Sequence, residues 1–180
     1  MASKSAGSPP SVYLERAVID NAVALVTSSD GGRQTVMTAT FFAESSHVPP
    51  LLRVSISPSS LSHELIVRSG WFGLSMLASG QEDLALGCGA ISGRKADKFA
   101  LLQLPRYLTD RGVPLLPGCL TTSECQVVEQ IGLNDHTLFI GRIESSYRHS
   151  RLSYRPLLLV SNLIDYLDND PGTRHARSQP

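Results

Sequence analysis

Two stretches of the chain alternate between apolar and polar side chains, the pattern of β-strands whose two faces differ. They cover residues 35–42 and 52–57, and in both the polar face consists largely of hydroxyl side chains. The alternation therefore predicts two neighbouring strands, each with one face for a core and one face that can hydrogen-bond.

A helix is predicted directly after the second strand, because apolar residues recur at helical spacing from Leu61 to Ile66. Ser60 or Ser62 is a suitable N-cap, since a serine hydroxyl accepts a hydrogen bond from the first turn of a helix. The helix is expected to end at Arg68. Its N-terminus would lie beside the hydroxyl faces, where backbone N–H groups and the helix dipole favour an anion.

The rest of the pattern predicts short strands and helices separated by turn residues. Further strands are expected at residues 22–27, 71–77, 120–131, 133–143 with its leading turn, and 152–160. Short helices are expected from the Ser79–Glu82 capping box to Leu86, from Ser92 to Leu102, and in some form at residues 163–167. Residues 44–50 and 104–118 are expected to be loops.

Composition and charge place the chain among ordinary globular domains. Of its 180 residues, 42% are hydrophobic and 18% charged, and the 16 basic side chains equal the 16 acidic ones in number. A neutral chain offers no electrostatic footprint for nucleic acid, and no apolar run approaches the ~20 residues that span a bilayer. We expect a disordered arm at residues 1–12, a single domain at 13–167 and a polar tail at 168–180. The N-terminus lacks a signal peptide, so a cytoplasmic protein is expected.

Three cysteines, Cys88, Cys119 and Cys125, show no metal-ligand spacing and leave one thiol over in any disulfide scheme. Buried, reduced thiols are the expected state, with a redox pair of Cys119 and Cys125 as the alternative. No metal site is predicted. The glycine-rich residues 87–93 lack the spacing of a dinucleotide- or triphosphate-binding loop, and they are not expected to continue the preceding helix.

A basic segment follows these glycines. Arg94, Lys95 and Lys98 are expected in the first turns of the helix that begins at Ser92. Cations there oppose the helix dipole, so a bound anion would account for them. A solvated basic turn is the alternative interpretation.

Short segments spread over more than half of the chain carry a resemblance. They are Val23–Thr27, Asp30–Gly32, Val36–Thr40, Pro49–Pro50, Val54–Pro58, Ser62–Ile66, Ser92–Phe99 and Asp135–Leu138. In order and spacing they resemble the flavin reductase-like, FMN-binding split-barrel family. The resemblance implies a mostly β fold, a six- or seven-stranded antiparallel Greek-key split barrel with two or three short helices. Short strands between turn signals agree with such a barrel.

The resemblance also implies a function. It is that of an NAD(P)H-dependent flavin oxidoreductase, a homodimer that passes hydride to FMN, or to FAD, and can supply a monooxygenase. One alternative is an FMN-binding protein without free-flavin turnover, acting as a sensor, carrier or structural flavoprotein. Another is a barrel that binds haem through His63 or His136. The chain departs from the family at Arg53 and in residues 152–170, which lack a glycine-rich aromatic ending, so donor and substrate stay open.

The family's cofactor contacts are carried onto matching positions of this chain. The residues implied for the flavin ring and ribityl chain are Met37, Thr38, Ala39, Thr40, Ser55, Ile56 and Ser57. Those implied for the phosphate end are Ser60, His63, Arg94 and Lys98, with Ser92, Gly93 and Phe99 as local supports. His136 is the candidate catalytic helper near the ring or the nicotinamide, a structural role being the alternative. The flavin supplies the reactive chemistry, so no side chain is obligatory for hydride transfer.

Overall fold

The computed structural model describes residues 19–150 and 156–169, and these form one antiparallel seven-stranded sheet with four helices and a small two-stranded sheet. The strands of the large sheet are β1 (Ala24–Ser29), β2 (Gln34–Ala39), β3 (Phe42–His47), β4 (Pro50–Ile56), β5 (Trp71–Met76), β8 (Thr121–Gly132) and β9 (Thr137–Arg148). The helices are α1 (Leu61–Ser69), α2 (Glu82–Ala90), α3 (Lys98–Leu101) and α4 (Val160–Asn169), and β6 (Tyr107–Leu108) pairs with β7 (Pro114–Leu115). The predicted mostly β fold and an antiparallel sheet of six or seven strands are confirmed.

The strand order in the large sheet is β2-β1-β5-β8-β9-β4-β3, so β2 and β3 are its two edges. Apolar residues from strands at both ends of this order nevertheless share one buried core. Ala39 of β2, Val54 of β4 and Phe72 of β5 all belong to it. The sheet therefore curls into an open barrel, because strands so far apart in the order can meet only if the sheet rolls up.

A second core lies on the outer side of β1 and β2. Val23, Leu25 and Val36 pack there against Cys88 of α2 and Phe99 of α3. Together the two cores cover both faces of β1, which explains why all six of its residues are buried, the polar Thr27–Ser29 as well as the apolar Ala24–Val26.

Several local predictions were wrong. The expected loop at residues 44–50 contains the edge strand β3, which forms a hairpin with β4. The glycine-rich residues continue α2 as far as Ala90, and the helix packs against β2, with Gly89 next to the Thr38 side chain. The predicted capping box at Ser79 is also absent: α2 begins after Gln81, and the Glu82 side chain instead accepts from the Gly80 N–H.

The expected helix from Ser92 begins only at Lys98, with Asp97 as its N-cap. Arg94 and Lys95 therefore lie in turns before α3, and the argument that three cations oppose its dipole fails. The expected loop at 104–118 includes the β6–β7 hairpin. The described residues contain four helices where two or three were expected.

The C-terminal segment crosses back over the barrel. Leu157 and Leu159 make single bridges to Ala78 and Ala22, and α4 follows. The predicted last strand, 152–160, is not confirmed, since residues 157 and 159 form only isolated bridges and α4 begins at Val160. The predicted arm at 1–12, residues 152–155 of that strand, and the tail from residue 170 lie outside the described residues.

Candidate functional site

The pocket at the start of α1 brings together much of the implied phosphate site. Met37 and Thr38 of β2, Ser60 at the N-cap of α1, and Ser92, Gly93 and Lys98 line a cavity of about 190 Å³, here called the phosphate pocket. These residues come from three separate parts of the chain. The hydroxyl strand, the anion-ready helix start and the basic segment therefore meet, as the sequence predicts.

Lys98 is the cation of this pocket. Its residue is only 4% exposed, and its Nζ donates to the Cys88 carbonyl at 2.6 Å. Burial lowers the pKa of the Lys98 ammonium from its ordinary value. One hydrogen bond leaves two of its three N–H donors unused, which makes a buried ammonium a strong partner for an anion.

The N-terminus of α1 supplies the second attraction for an anion. Ser60 is the N-cap, and its Oγ accepts a hydrogen bond from the His63 amide at 3.1 Å. The amides of Leu61 and Ser62, in the first turn, have no intrahelical acceptor. Both residues line the phosphate pocket, and the positive end of the helix dipole lies beside it.

Gly93 gives the pocket its shape. A Cβ on Gly93 would overlap Oγ1 of Thr35 and would come within 3.4 Å of Leu61 Cδ2. Only glycine therefore allows the 92–98 segment to lie this close to β2. The cradle of hydroxyls, amides and one buried ammonium fits the phosphate of a flavin nucleotide.

Arg94 does not line the phosphate pocket, although the resemblance implies a role at the phosphate. Its guanidinium pairs with Glu64 at 2.7 Å and donates to the Ser59 and Ser60 carbonyls at 3.1 and 3.4 Å. This hydrogen bond from Arg94 holds the pKa of the Glu64 carboxyl below its ordinary value. Arg94 thus ties the segment after Gly93 to the N-terminus of α1, with only part of its donor set free.

The phosphate pocket is too small for a whole flavin nucleotide, since sites that bury such ligands typically measure ~300–1,000 Å³. It suits the phosphate and part of the ribityl chain. Thr38 lies at its wall with the hydroxyl proton committed to the Ala85 carbonyl, which leaves acceptor lone pairs. The remaining implied positions do not line the pocket; they are Ala39, Thr40, Ser55, Ile56, Ser57, His63, Arg94, Phe99 and His136.

Ala39, Ile56 and Phe99 are buried side chains of the two cores, so any cofactor contact they make must come from their backbones. Ser55 and Ser57 lie half-buried on and after β4, where the Ser57 and Ser59 hydroxyls bond each other at 2.9 Å.

His63 faces away from the phosphate pocket. Its Nε2 lies 2.8 Å from Oγ1 of Thr137, and its ring packs edge-on against Phe139 at 5.2 Å between centroids. Burial lowers the pKa of the His63 imidazole. His63 therefore joins α1 to the start of β9 rather than pointing at the pocket.

His136 lies in the turn before β9, with its side chain 26% exposed. Its Nδ1 is 3.0 Å from the Asp135 carboxylate, and its ring lies 5.8 Å from that of Phe41, which is largely exposed. The residue after His136 is Thr137, whose hydroxyl is hydrogen-bonded to His63.

Sequence reasoning missed other residues that line the phosphate pocket. They are Thr35, Leu61, Ser62, Cys88, Gly89 and Ile91. Thr35 and Ser62 carried a usable signal, since each hydroxyl sits beside an element already identified as hydrogen-bonding. Cys88 and Gly89 carried none, because their segment was expected not to be helical.

The three cysteines are free and buried, as expected. Burial raises the pKa of Cys88 to about 11 and those of Cys119 and Cys125 to about 12, so all three are neutral thiols at physiological pH. In the parts of the chain that the structure describes, no group of three or more His, Cys, Asp or Glu could hold a metal ion. None of the described helices is long and apolar enough to cross a membrane.

A further cavity, of about 470 Å³, lies elsewhere, between the β6–β7 hairpin and the end of β9. Tyr107, Tyr147 and His149 line it. None of the residues implied for the cofactor does so.

Comparison with known proteins identifies the family to which this fold and pocket belong. A family model described as flavin reductase like domain matches residues 16–165. An NADH-dependent flavin reductase from a Rhodococcus species is 38% identical over 108 residues, which are 60% of this chain and 57% of that protein. The aligned part is thus less than two thirds of that relative's length.

Two solved structures resemble the fold closely. One is an FMN-binding protein from Thermus thermophilus with bound p-hydroxybenzaldehyde, with a TM-score of 0.73, 32% identity, and coverage of 88% of this chain and 90% of that one. The other is nitrilotriacetate monooxygenase component B from Mycobacterium thermoresistibile, with a TM-score of 0.69, 26% identity, and coverage of 77% and 75%.

Proposed function

The chain belongs to the flavin reductase-like domain family, and we propose that it is an NAD(P)H-dependent flavin oxidoreductase that binds FMN. The observation that carries the proposal is the phosphate pocket, where the buried Lys98 ammonium and the N-terminus of α1 converge on one cavity. A bound flavin supplies the hydride chemistry, accepting a hydride from the nicotinamide and passing electrons on. The protein binds the flavin, orients it and shields it from water.

The residues divide this work. Lys98, Ser60, Ser92 and the first amides of α1 bind the phosphate, and Gly93 leaves room for it. Arg94 acts mainly by holding its segment against α1 through Glu64. Residues of β2 and β4 beyond the pocket, among them Thr40, would hold the ring and ribityl chain. There the backbone and the hydroxyls of Ser55 and Ser57 provide hydrogen-bonding partners.

His136 is assigned the helper role beside the ring or the nicotinamide. Its imidazole is partly exposed and is oriented by Asp135, so it can donate a hydrogen bond to a ligand that reaches Phe41. The His136→Gln variant is expected to change kcat or KM for the nicotinamide while leaving flavin affinity within about twofold. Loss of flavin binding alone would assign His136 to the cofactor site instead.

A homodimer completes the site in this proposal. Val128, Ile131 and Leu133, at the far end of the β8–β9 hairpin, are between 39% and 51% exposed, and Phe41 is 53% exposed. Apolar side chains gathered at the end of a long hairpin favour association with a second copy. Ile131→Glu should shift the protein toward monomer in analytical ultracentrifugation. The control Ile164→Glu, which alters an exposed apolar residue of α4, should not.

Two measurements test the function. The purified protein, loaded with FMN, should show an oxidised flavin spectrum that bleaches when NADH or NADPH is added without oxygen. Adding excess free flavin should then give continued nicotinamide oxidation. A Soret band, or no bleaching with either donor, would overturn the proposal.

A second candidate is an FMN-binding protein without free-flavin turnover, since the similar Thermus thermophilus protein is named for FMN binding and not for a reductase activity. In that case the bound flavin is reduced once and free flavin does not sustain turnover. Delivery of reduced flavin to a monooxygenase is the partner role suggested by the Mycobacterium thermoresistibile component. It is tested by coupling the reductase to oxygenase components in a shared reaction.

A further inference from the structure

A second cavity opens beside the phosphate pocket. It measures about 340 Å³ and shares Leu61 and Gly93 with the phosphate pocket as common walls. Arg33, Arg94 and Lys95 also line it, so we call it the basic cavity. The two cavities therefore adjoin at Leu61 and Gly93.

The carboxylates near the basic cavity are already engaged. Asp97 accepts hydrogen bonds from the Phe99 and Ala100 amides at 2.9 and 3.2 Å as the cap of α3. Glu64 pairs with Arg94 at 2.7 Å and with Arg68 at 2.9 Å. The acidic groups of this surface are therefore committed to a helix end or to particular arginines.

Two of the cations that line the basic cavity have no such acidic partner among the described residues. Arg33 and Lys95 are exposed, and neither side chain forms a hydrogen bond or ion pair with the described residues. Arg33 is near enough to Glu64 for a weak electrostatic attraction only. Two unpaired cations in a concave surface next to a phosphate site favour a further anionic group of the same ligand.

We propose that the basic cavity binds the adenylate half of FAD, with Arg33 and Lys95 facing its second phosphate, so that the chain binds FAD more tightly than FMN. The inference rests on the proposed flavin-binding function and specifies which flavin nucleotide the site prefers. The two phosphates of FAD share a bridging oxygen, so the second must lie at the mouth of the phosphate pocket. The shared walls at Leu61 and Gly93 place the basic cavity there.

The test is equilibrium binding of FMN and of FAD to the full chain by titration calorimetry. The wild-type protein should bind FAD roughly three- to tenfold more tightly, the size expected for one or two exposed charge contacts. The double variant Arg33→Ala/Lys95→Ala should lose this preference while its FMN affinity stays within about twofold. The charge-conserving variant Arg33→Lys/Lys95→Arg should keep it, and higher salt should weaken it.

Arg111→Ala provides a matched control, since Arg111 is an exposed arginine that stacks on Trp71 away from both cavities. It should leave both affinities unchanged. Equal affinities of the wild-type protein for FMN and FAD, or an unchanged preference in the double variant, would overturn the inference while leaving flavin binding intact. Failure to bind either flavin would instead overturn the proposed function.

A separate titration with NADP+ and NAD+ tests the alternative anionic group for these cations, the 2′-phosphate of the nicotinamide donor. Selective loss of NADP+ binding in the double variant, with the FAD preference unchanged, would assign the basic cavity to the donor and reject its assignment to FAD.

Discussion

The Nε2 atom of His63 lies 2.8 Å from Oγ1 of Thr137, so the first helix is hydrogen-bonded to the first residue of β9. The contact spans 74 positions of sequence and adjoins His136, the candidate helper residue. The His63 side chain, which was expected at the phosphate, therefore links α1 to β9.

His63 should make folding stability depend on pH. Because burial lowers the pKa of the folded imidazole, the unfolded chain takes up a proton at a higher pH than the folded chain does. Stability is therefore expected to fall as pH drops below about 6.5, toward the lower folded pKa. Urea unfolding at several pH values between 7 and 5 should show a smaller decline for His63→Gln. The control is His47→Gln, an exposed histidine, and an identical pH dependence in all three proteins would contradict the prediction.

Gly93→Ala should weaken FMN binding, because the new methyl group meets Thr35 Oγ1 and pushes the 92–98 segment away from β2. Adding Thr35→Ala should restore much of the affinity by removing the obstructing atom. Thr35→Val should not, since its methyl group occupies the same position. Equal FMN dissociation constants for the two double variants would show that the close approach is unimportant.

Lys98→Met should change ligand affinity and stability in opposite directions. Loss of the ammonium is expected to weaken FMN binding roughly ten- to a hundredfold, the range for hydrogen bonds to charged groups. The ligand-free protein should become more stable at pH 7, because a buried ammonium is costly to desolvate. Calorimetric binding and urea unfolding of the same variant measure both effects. The exposed Lys95→Met is the control, with little change expected in FMN affinity or stability.

Lys98 should also make FMN binding depend on pH. The pKa of Lys98 is lowered in the ligand-free fold, so its charge is lost at a lower pH than that of an ordinary lysine. FMN affinity of the wild-type protein should therefore fall as pH rises through this lowered pKa. Lys98→Met should lack that decline, and a parallel decline in both proteins would assign it to another group.

Gly141→Ala should destabilise the barrel, since a Cβ there would lie 2.6 Å from Phe72 Cε1 and 2.9 Å from Cys125 Cβ. Overpacking of this kind typically costs about 1–3 kcal/mol of unfolding free energy. Gly132→Ala, on the preceding strand, meets no atom within 4 Å and should change stability little. Urea unfolding of the two variants provides the comparison, and equal midpoints would refute the packing argument.

Some features could be predicted from sequence because they are local. The alternation in residues 35–42 and 52–57 identified β2 and β4, and the Ser60 cap with helical spacing from Leu61 identified α1 almost to the residue. Periodicity and capping depend on neighbours within a few positions, so the chain itself carries that information. The free, buried state of the cysteines was expected for another reason: three thiols without metal-ligand spacing leave one over in any disulfide scheme.

The three-dimensional arrangement decided the rest. Residues 44–50 were expected to be a loop, and Phe42 was assigned to the preceding strand. Phe42–His47 form β3 only because β4 supplies hydrogen-bonding partners along its edge. Arg94 was expected at a phosphate but pairs with Glu64, 30 positions away, and His63 bonds Thr137 instead of a ligand. The sequence alone determined which groups could bind an anion. Only the fold decided which of them point into one pocket, because the direction of a side chain depends on partners that local patterns do not encode.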